Sequence, residues 1–344
     1  MPKKSKGEKR RRLVTPKRAE AYELQLATDP RNLETRAELL DYYAMQAFHS
    51  DNALSEQARH VFWIIENAPD AEIASSPFMN FPGRAQEEPF SEKAERLWRE
   101  QVKARPENAN VLGHAAFFLL FRYLCEEDNS EVIALLEKAE ALAPNDYRWP
   151  ERSGHLHSLS SHSKGVEAGQ KSVACYERAY AALNKMPNEP ESAAKKQCLL
   201  QELAINALVA GDNDKATEYA TRLLKSAETR ADEETKANWN DGNALHWSHI
   251  VLGKVALRRG DKEAAKTHLL AAGETSGSPQ LNSFGPDMAL AKSLTEAGEK
   301  EAVIAYLTAC AKFWKSRAKT IAKWNAAIEK GQIPDFAKHS HEVD

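Results

Sequence analysis

The sequence has no long apolar run and no secretory signal. Its most apolar stretch, Val111 to Leu124, is interrupted by His114 and Arg122, whereas a membrane-spanning helix needs roughly 18 apolar residues. The N-terminus is basic, but no apolar segment follows it, as it would in a signal peptide. We therefore expect a cytoplasmic protein that makes no membrane contact.

Cysteines are few and widely spaced. Disulfide frameworks are typical of short secreted chains, and this chain has 344 residues. Each cysteine falls within a helical pattern, which predicts buried thiols that pack as small apolar side chains. The four positions are Cys125, Cys175, Cys198 and Cys310.

Sequence motifs for several reaction classes are also missing. We find no GxxxxGK[ST] loop, no GxGxxG after a strand, no GxSxG elbow and no CxxC pair. Nucleotide-binding folds, α/β-hydrolases and cysteine-based zinc sites are therefore not indicated. No pair of carboxylates stands out as a general acid and base. We expect a protein that is not an enzyme, with no catalytic residues, no metal and no cofactor.

Charge is distributed unevenly along the chain. The net charge is -3, yet residues 1–18 hold nine Lys or Arg and one Glu. This segment therefore carries +8, and the rest of the chain carries -11. We expect residues 1–17 to be a disordered basic tail, because so few apolar side chains cannot form a core. The residues expected to make a tail contact are Lys3, Lys4, Lys6, Lys9, Arg10, Arg11 and Arg12.

From about residue 18 onward, apolar residues recur at helical spacing. Ile133, Leu136 and Ala139, for example, lie on one stripe of a helix. The sequence shows no alternating Val/Ile/Thr run and no Asn-Gly hairpin turn, which are the usual strand signals. The pattern predicts an all-α fold.

Prolines and glycines mark a repeat of helix pairs. Pro30, Pro69, Pro106 and Pro144 are 39, 37 and 38 residues apart, and each is expected to end a helix, because the residue before a proline is pushed out of the α region. In the second half, Gly-Asp or Gly-Glu turns recur. Glycine allows the left-handed residue that ends a helix, and the acidic residue favours the start of the next. These glycines are Gly211, Gly260 and Gly298.

The order of these residues resembles the tetratricopeptide-repeat (TPR) family. Leu252-Gly253 followed by Ala265, Leu269 and Ala272 fits the family's helix pair. The resemblance implies an α-solenoid of about seven antiparallel helix pairs in a right-handed superhelix, with a capping helix at its end. We expect the solenoid to span residues 18–330 and residues 331–344 to be a loose C-terminal tail. The family's usual role implies protein or peptide binding in a concave groove.

Helix pairs are expected at 17–28 with 33–47, 53–67 with 91–104, and 108–125 with 130–142. The following pairs are 148–160 with 167–184, 191–210 with 213–228, 238–258 with 262–273, and 286–297 with 300–316. The capping helix is expected near 318–330. Three Phe residues in the insertion from Ser75 to Phe90 are expected to pack onto a neighbouring repeat, with an aromatic lip on the groove as the alternative.

Two further breaks in the pattern, near residues 239–249 and 276–287, suggest a partner-binding surface. Such polar and aromatic residues suit mixed apolar and hydrogen-bonded contacts, and the two breaks are expected to lie one repeat apart. The candidate residues are Trp239, Asn240, Asn243, His246, His249, Asn282 and Phe284.

Two alternatives stay open at this point. The basic tail could tether the protein to nucleic acid through weak, salt-sensitive contacts. His246 and His249 are three residues apart and share a helix face, so a metal-dependent enzyme that uses them is the other alternative. The leading interpretation is a noncatalytic scaffold or adaptor that binds a protein or peptide partner.

Overall fold

The computed structural model describes residues 14–81, 87–122, 129–187, 190–231 and 240–336, without the side chains of 160–164, 190 and 229–231. Within these ranges the chain is helical and contains no strand, which confirms the predicted all-α class. None of the helices described is long and apolar enough to cross a membrane. The tail residues Lys3 to Arg12, together with Trp239, lie outside the described residues.

The chain forms two compact units, Met1–Ala143 and Pro144–Asp344. The α-helices of the first unit are α1 (Pro16–Thr28), α2 (Leu33–Ala47), α3 (Asp51–Asn67), α4 (Glu88–Ala104), α5 (Ala109–Arg122) and α6 (Ser130–Leu142). Two short 3₁₀ helices, Glu72–Ser75 and Pro77–Met79, lie between α3 and α4.

The prolines end helices as predicted. Asp29, Ala68, Arg105 and Ala143 each precede a proline, and each lies outside the α region, with φ between -145° and -131° and positive ψ. The following proline excludes helical geometry at these positions. The bounds of α1, α2 and α6 therefore agree closely with those expected from the sequence.

The helix pairing in the first unit differs in one respect from the prediction. We expected α3 to pair with α4, but α3 packs more extensively against α2. The segment between Pro30 and Pro69 is thus itself a helix pair, whereas the next segment contains α4 and the two 3₁₀ helices. Gln57 donates hydrogen bonds to the carbonyls of Phe78 and Asn80, which holds the 3₁₀ segment against α3.

The second unit continues the pattern of consecutive helices. Its α-helices are α7 (Arg148–Asn184), α8 (Pro190–Val209), α9 (Asn213–Ala231), α10 (Asp241–Arg258), α11 (Lys262–Gly273), α12 (Pro279–Ser283), α13 (Ala289–Glu296), α14 (Lys300–Cys310) and α15 (Ala318–Glu329). A break at Gly165, where φ is 65°, divides the long α7 close to the predicted gap between two helices. A 3₁₀ turn, Lys315–Arg317, precedes α15.

The three turn glycines have the geometry expected of them. Gly211, Gly260 and Gly298 have φ of 75°, 81° and 87°. At each turn the next residue's N–H reaches a carbonyl five positions back, as Asp261 does to Ala256, which is the Schellman motif. Asp261 also caps α11 by accepting from Ala264. These turns reverse the chain so that consecutive helices pack side by side.

Packing follows the chain order in each unit. In the second unit each helix from α7 to α10 contacts the next one, and α11 packs against both α10 and α14. Apolar side chains from adjacent helices fill the spaces between them. A second hydrophobic core is formed by residues from α10 through α15 and includes the buried Trp314 and Tyr306. This order of contacts is consistent with a helical solenoid.

Candidate functional site

The structure brings together the two breaks that the sequence singled out in the second unit. Ser278, just before α12, donates to the side-chain carbonyl of Asn243 on α10 at 2.8 Å. Asn243 in turn donates to Asn240 at 2.9 Å. All three side chains are buried. These polar groups satisfy one another and fix the loop before α12 against the start of α10.

His246 is fully buried and holds the same junction. The backbone N–H of Asp287 can only donate, so Nε2 of His246 is the acceptor of their 3.0 Å hydrogen bond. Nδ1 therefore carries the proton and donates to the carbonyl of Ala272 at 3.1 Å. Tyr306 completes the junction by donating to the carbonyl of Asp287. His246 thus connects three segments in its neutral form.

His249 makes a different contact from the one its spacing suggested. Its Nδ1 lies 3.0 Å from Nδ1 of His268 on α11, so one ring donates and the other accepts. Burial, together with smaller electrostatic contributions of the same sign from His268 and His246, lowers the pKa of His249 to about 4. Burial also lowers the pKa of His268. The pair is uncharged at neutral pH.

Two further predicted residues of this surface face solvent. Asn282 and Phe284 are exposed, and Phe284 keeps 78% of its surface accessible. In the part of the chain that the structure describes, no three His, Cys, Asp or Glu side chains are grouped so as to hold a metal ion. The buried members of the set therefore act on the fold, and its exposed members are available for contact.

A second site, which sequence reasoning missed, lies in the first unit. A groove with a volume of about 520 Å³ opens between α1, α2, α3 and α4. We call it the α1–α4 groove. Pockets of several hundred Å³ are typical of ligand sites. It is lined by Glu23, Leu26, Ala27, Pro30, Arg36, Arg59, Phe62, Trp63, Glu66 and Lys93.

Arg36 is the buried charge of this groove, with only 3% of its surface exposed. Its guanidinium carbon lies 3.6 Å from the ring centroid of Trp63. One terminal nitrogen donates to the carbonyl of Pro30 at 2.7 Å, and the other lies 3.1 Å from Nδ1 of His60. Its Nε has no hydrogen-bond partner among the described residues. Burial and the nearby Arg59 lower the pKa of Arg36 to about 10, so it stays charged at neutral pH.

His60 links Arg36 to the carboxylate of Glu23. A guanidinium can only donate, so Nδ1 of His60 accepts from Arg36, and Nε2–H donates to Glu23 at 3.0 Å. Arg59 also donates to Glu23, at 2.7 Å. Burial raises the pKa of Glu23, but the hydrogen bonds from Arg59 and His60 outweigh it, and the pKa falls below its ordinary value. This network joins α1, α2 and α3.

Aromatic side chains form the outer part of the groove. Phe62 and Trp63 are half-buried on α3, and Nζ of Lys93, on α4, lies 4.2 Å from the Phe62 ring centroid. Phe90 packs at 6.4 Å from Phe62 and at 6.0 Å from Phe81. Phe90 therefore packs on α3 through Phe62, Phe81 packs on Phe90, and both support the aromatic rim of the groove.

One signal in the sequence could have indicated this groove. Arg59, Phe62, Trp63 and Glu66 occur at positions i, i+3, i+4 and i+7, which places charged and aromatic side chains on one face of a helix. The contribution of Arg36 has no such signal, because it comes from a different helix.

No family model matches the chain, and no curated protein matches it either.

Proposed function

We propose that this protein is a noncatalytic, TPR-like helical-repeat scaffold that binds a protein or peptide partner in the α1–α4 groove. The right-handed superhelix that the TPR resemblance implies belongs to the same proposal. The protein's role is to present a rigid binding surface. Because this surface is already ordered, the scaffold loses little conformational freedom when a partner binds.

The observation that carries the proposal is the construction of the groove. Its floor is a buried cation, Arg36, which Trp63, His60 and Pro30 hold in one position. Its rim offers partly exposed aromatic faces. Aromatic side chains and arginine are the residues that contribute most to binding energy in protein interfaces. Because the network joins three helices, the binding groups are ordered before a partner arrives.

Two other surfaces remain predictions. Asn282 and Phe284 are exposed in the second unit and present an alternative contact for a partner. The basic residues near the N-terminus, Lys3 to Arg12, lie outside the described residues. A salt-sensitive nucleic-acid contact through them is a separate prediction, which removal of residues 1–13 would test without altering the groove.

A selection from a phage-displayed random peptide library, with the full chain as bait, tests the proposal. We expect enriched peptides whose binding is lost with Trp63→Ala and with Lys93→Glu. Phe284→Ala is the control, because it removes an exposed aromatic ring in the other unit. The helix content of each variant, measured by circular dichroism, checks that it folds. Absence of enrichment, or enriched peptides that bind Trp63→Ala and Lys93→Glu as tightly as the wild type, would contradict the proposal. Loss with Phe284→Ala alone would place the site in the second unit.

A further inference from the structure

We propose that the partner segment bound by the α1–α4 groove is acidic, with carboxylate side chains next to an apolar or aromatic one. This inference rests on the proposed function, and it names the chemistry of the ligand.

The charge of the groove lining differs from that of the chain around it. Apart from residues 1–18, the chain carries a net charge of -11. The lining nevertheless has three cations, Arg36, Arg59 and Lys93, against two carboxylates, Glu23 and Glu66. A cationic groove in an acidic protein attracts anionic segments and disfavours basic ones.

The two carboxylates are not equivalent. Glu23 already accepts hydrogen bonds from Arg59 and His60, and Arg59 also forms an ion pair with the neighbouring Glu56, so these charges compensate one another locally. Glu66 and Lys93 are both exposed, so solvent screens both charges in the free protein. Arg36 and Lys93 form no ion pair with a carboxylate in the part of the chain that the structure describes. These two cations are the ones that an incoming carboxylate would neutralise.

The buried position of Arg36 strengthens this argument. A guanidinium with 3% of its surface exposed has lost most of its hydration, and its partners are a carbonyl, a neutral imidazole and an aromatic face. Buried charges are ordinarily paired with an opposite charge. A carboxylate bound at Lys93 on the rim would bring that charge into the groove.

The apolar part of the ligand follows from the rest of the lining. Leu26, Ala27 and Pro30, from α1 and the turn after it, and Phe62 and Trp63, from α3, are the apolar and aromatic residues of the lining. A chain of carboxylates alone would leave these faces in contact with water. An apolar or aromatic side chain beside the acid covers them and gains the energy of apolar burial.

This chain's own basic N-terminal segment does not have the charge that the groove requires. Residues 1–18 carry +8, so the lining cations repel it. The occupant that fits is a segment of another protein.

Fluorescence anisotropy with labelled synthetic peptides tests the inference. The probes are an acidic Asp/Glu peptide, a neutral Ser/Asn peptide and a basic Lys/Arg peptide, all with the same Leu and Phe residues. We expect the acidic peptide to bind the full chain at least about tenfold more tightly than the basic one at low salt, which corresponds to a modest difference in binding free energy. This preference should weaken as salt is added.

Variants of exposed residues sharpen the test. Lys93→Glu should weaken binding of the acidic peptide by about tenfold, and Glu66→Gln should strengthen it by about twofold. Lys323→Glu, an exposed charge reversal in the second unit, should leave it unchanged. Equal affinities for the three peptides, each lost with Trp63→Ala, would overturn the acidic preference but leave the groove as the site. Absence of binding by every peptide, or binding that Trp63→Ala leaves intact, would overturn both proposals.

Discussion

The guanidinium of Arg36 stacks on the indole of Trp63, with its central carbon 3.6 Å from the ring centroid. This contact joins α2 to α3 and places a cation under the groove. Cation–π pairs that are shielded from water contribute about 2 kcal/mol. The same pair therefore stabilises the first unit and shapes its binding surface.

Arg36→Ala should destabilise the first unit by about 3 kcal/mol, because it removes the stacking on Trp63 and leaves the carbonyl of Pro30 without its donor. Hydrogen exchange of the α2 and α3 amides measures the loss. Arg31→Ala is the matched control, since Arg31 is exposed in the turn just before α2, and it should change the opening free energy by less than about 0.5 kcal/mol. Equal effects of the two substitutions would contradict a structural role for the buried guanidinium.

The first unit should lose stability as the pH falls from about 6.5 to 4. Burial, helped by the charges of Arg59 and Arg36, lowers the pKa of His60 to about 4 from an ordinary value of 6.5. The unfolded chain therefore binds more protons in this window, and the free energy of unfolding decreases on acidification, by up to about 3 kcal/mol. Below this window Glu23 adds a loss of the same sign, because its pKa is lowered as well.

Urea unfolding as a function of pH measures this effect. His60→Gln should flatten the pH dependence, because glutamine can accept from Arg36 and donate to Glu23 but does not titrate. The control is His49→Gln, at an exposed position after α2, and its pH dependence should match that of the wild type. An unchanged slope in the His60 variant would show that another group causes the acid sensitivity.

His249 and His268 should titrate as a coupled pair. Because the charge of His268 lowers the pKa of His249, His268→Gln should raise the pKa of His249. Burial would still keep that pKa below 6.5. Proton NMR of the imidazole resonances measures the change. A pKa of His249 that stays constant or falls further in the variant would contradict the 3.0 Å contact between the two rings.

Gly242→Ala should destabilise the second unit by about 3 kcal/mol. A Cβ atom at Gly242 would lie 2.0 Å from the backbone carbonyl oxygen of Gly277, so the loop before α12 would have to move. Gly211→Ala provides the comparison. A Cβ there meets no atom within 4 Å, and only the left-handed backbone costs energy, about 1 kcal/mol. Thermal unfolding should therefore rank Gly242→Ala as the more damaging substitution, and the reverse order would contradict the close packing of the two breaks.

Much of the fold could be predicted from the sequence, because its signals are local. A proline disfavours the α region at the residue before it, and a glycine after a helix forms the left-handed turn at Gly211, Gly260 and Gly298. The pairing of α3 with α2 rather than α4 could not be predicted in the same way. It depends on the long segment between α3 and α4, which contains two short 3₁₀ helices, the second of which Gln57 anchors.

The candidate site was harder to predict, because burial is a property of the tertiary structure. Asn243 and His246 lie in a break of the pattern and were expected to face a partner, but each finds hydrogen-bond partners in segments more than 25 residues away. Conversely, the sequence around Arg36 indicates only an ordinary charged residue of a helix. Only the meeting of α1, α2 and α3 shows that it is buried beneath Trp63.

The central claim is that the α1–α4 groove is where an acidic partner segment binds, and ¹⁹F NMR of the protein labelled with 5-fluorotryptophan tests it most directly. Trp63→Phe assigns the Trp63 resonance among those of the seven tryptophans. On titration with the acidic peptide, we predict that the Trp63 resonance shifts and saturates while that of the buried Trp314 stays in place. A Trp63 resonance that remains unchanged at peptide concentrations that saturate binding would contradict the account.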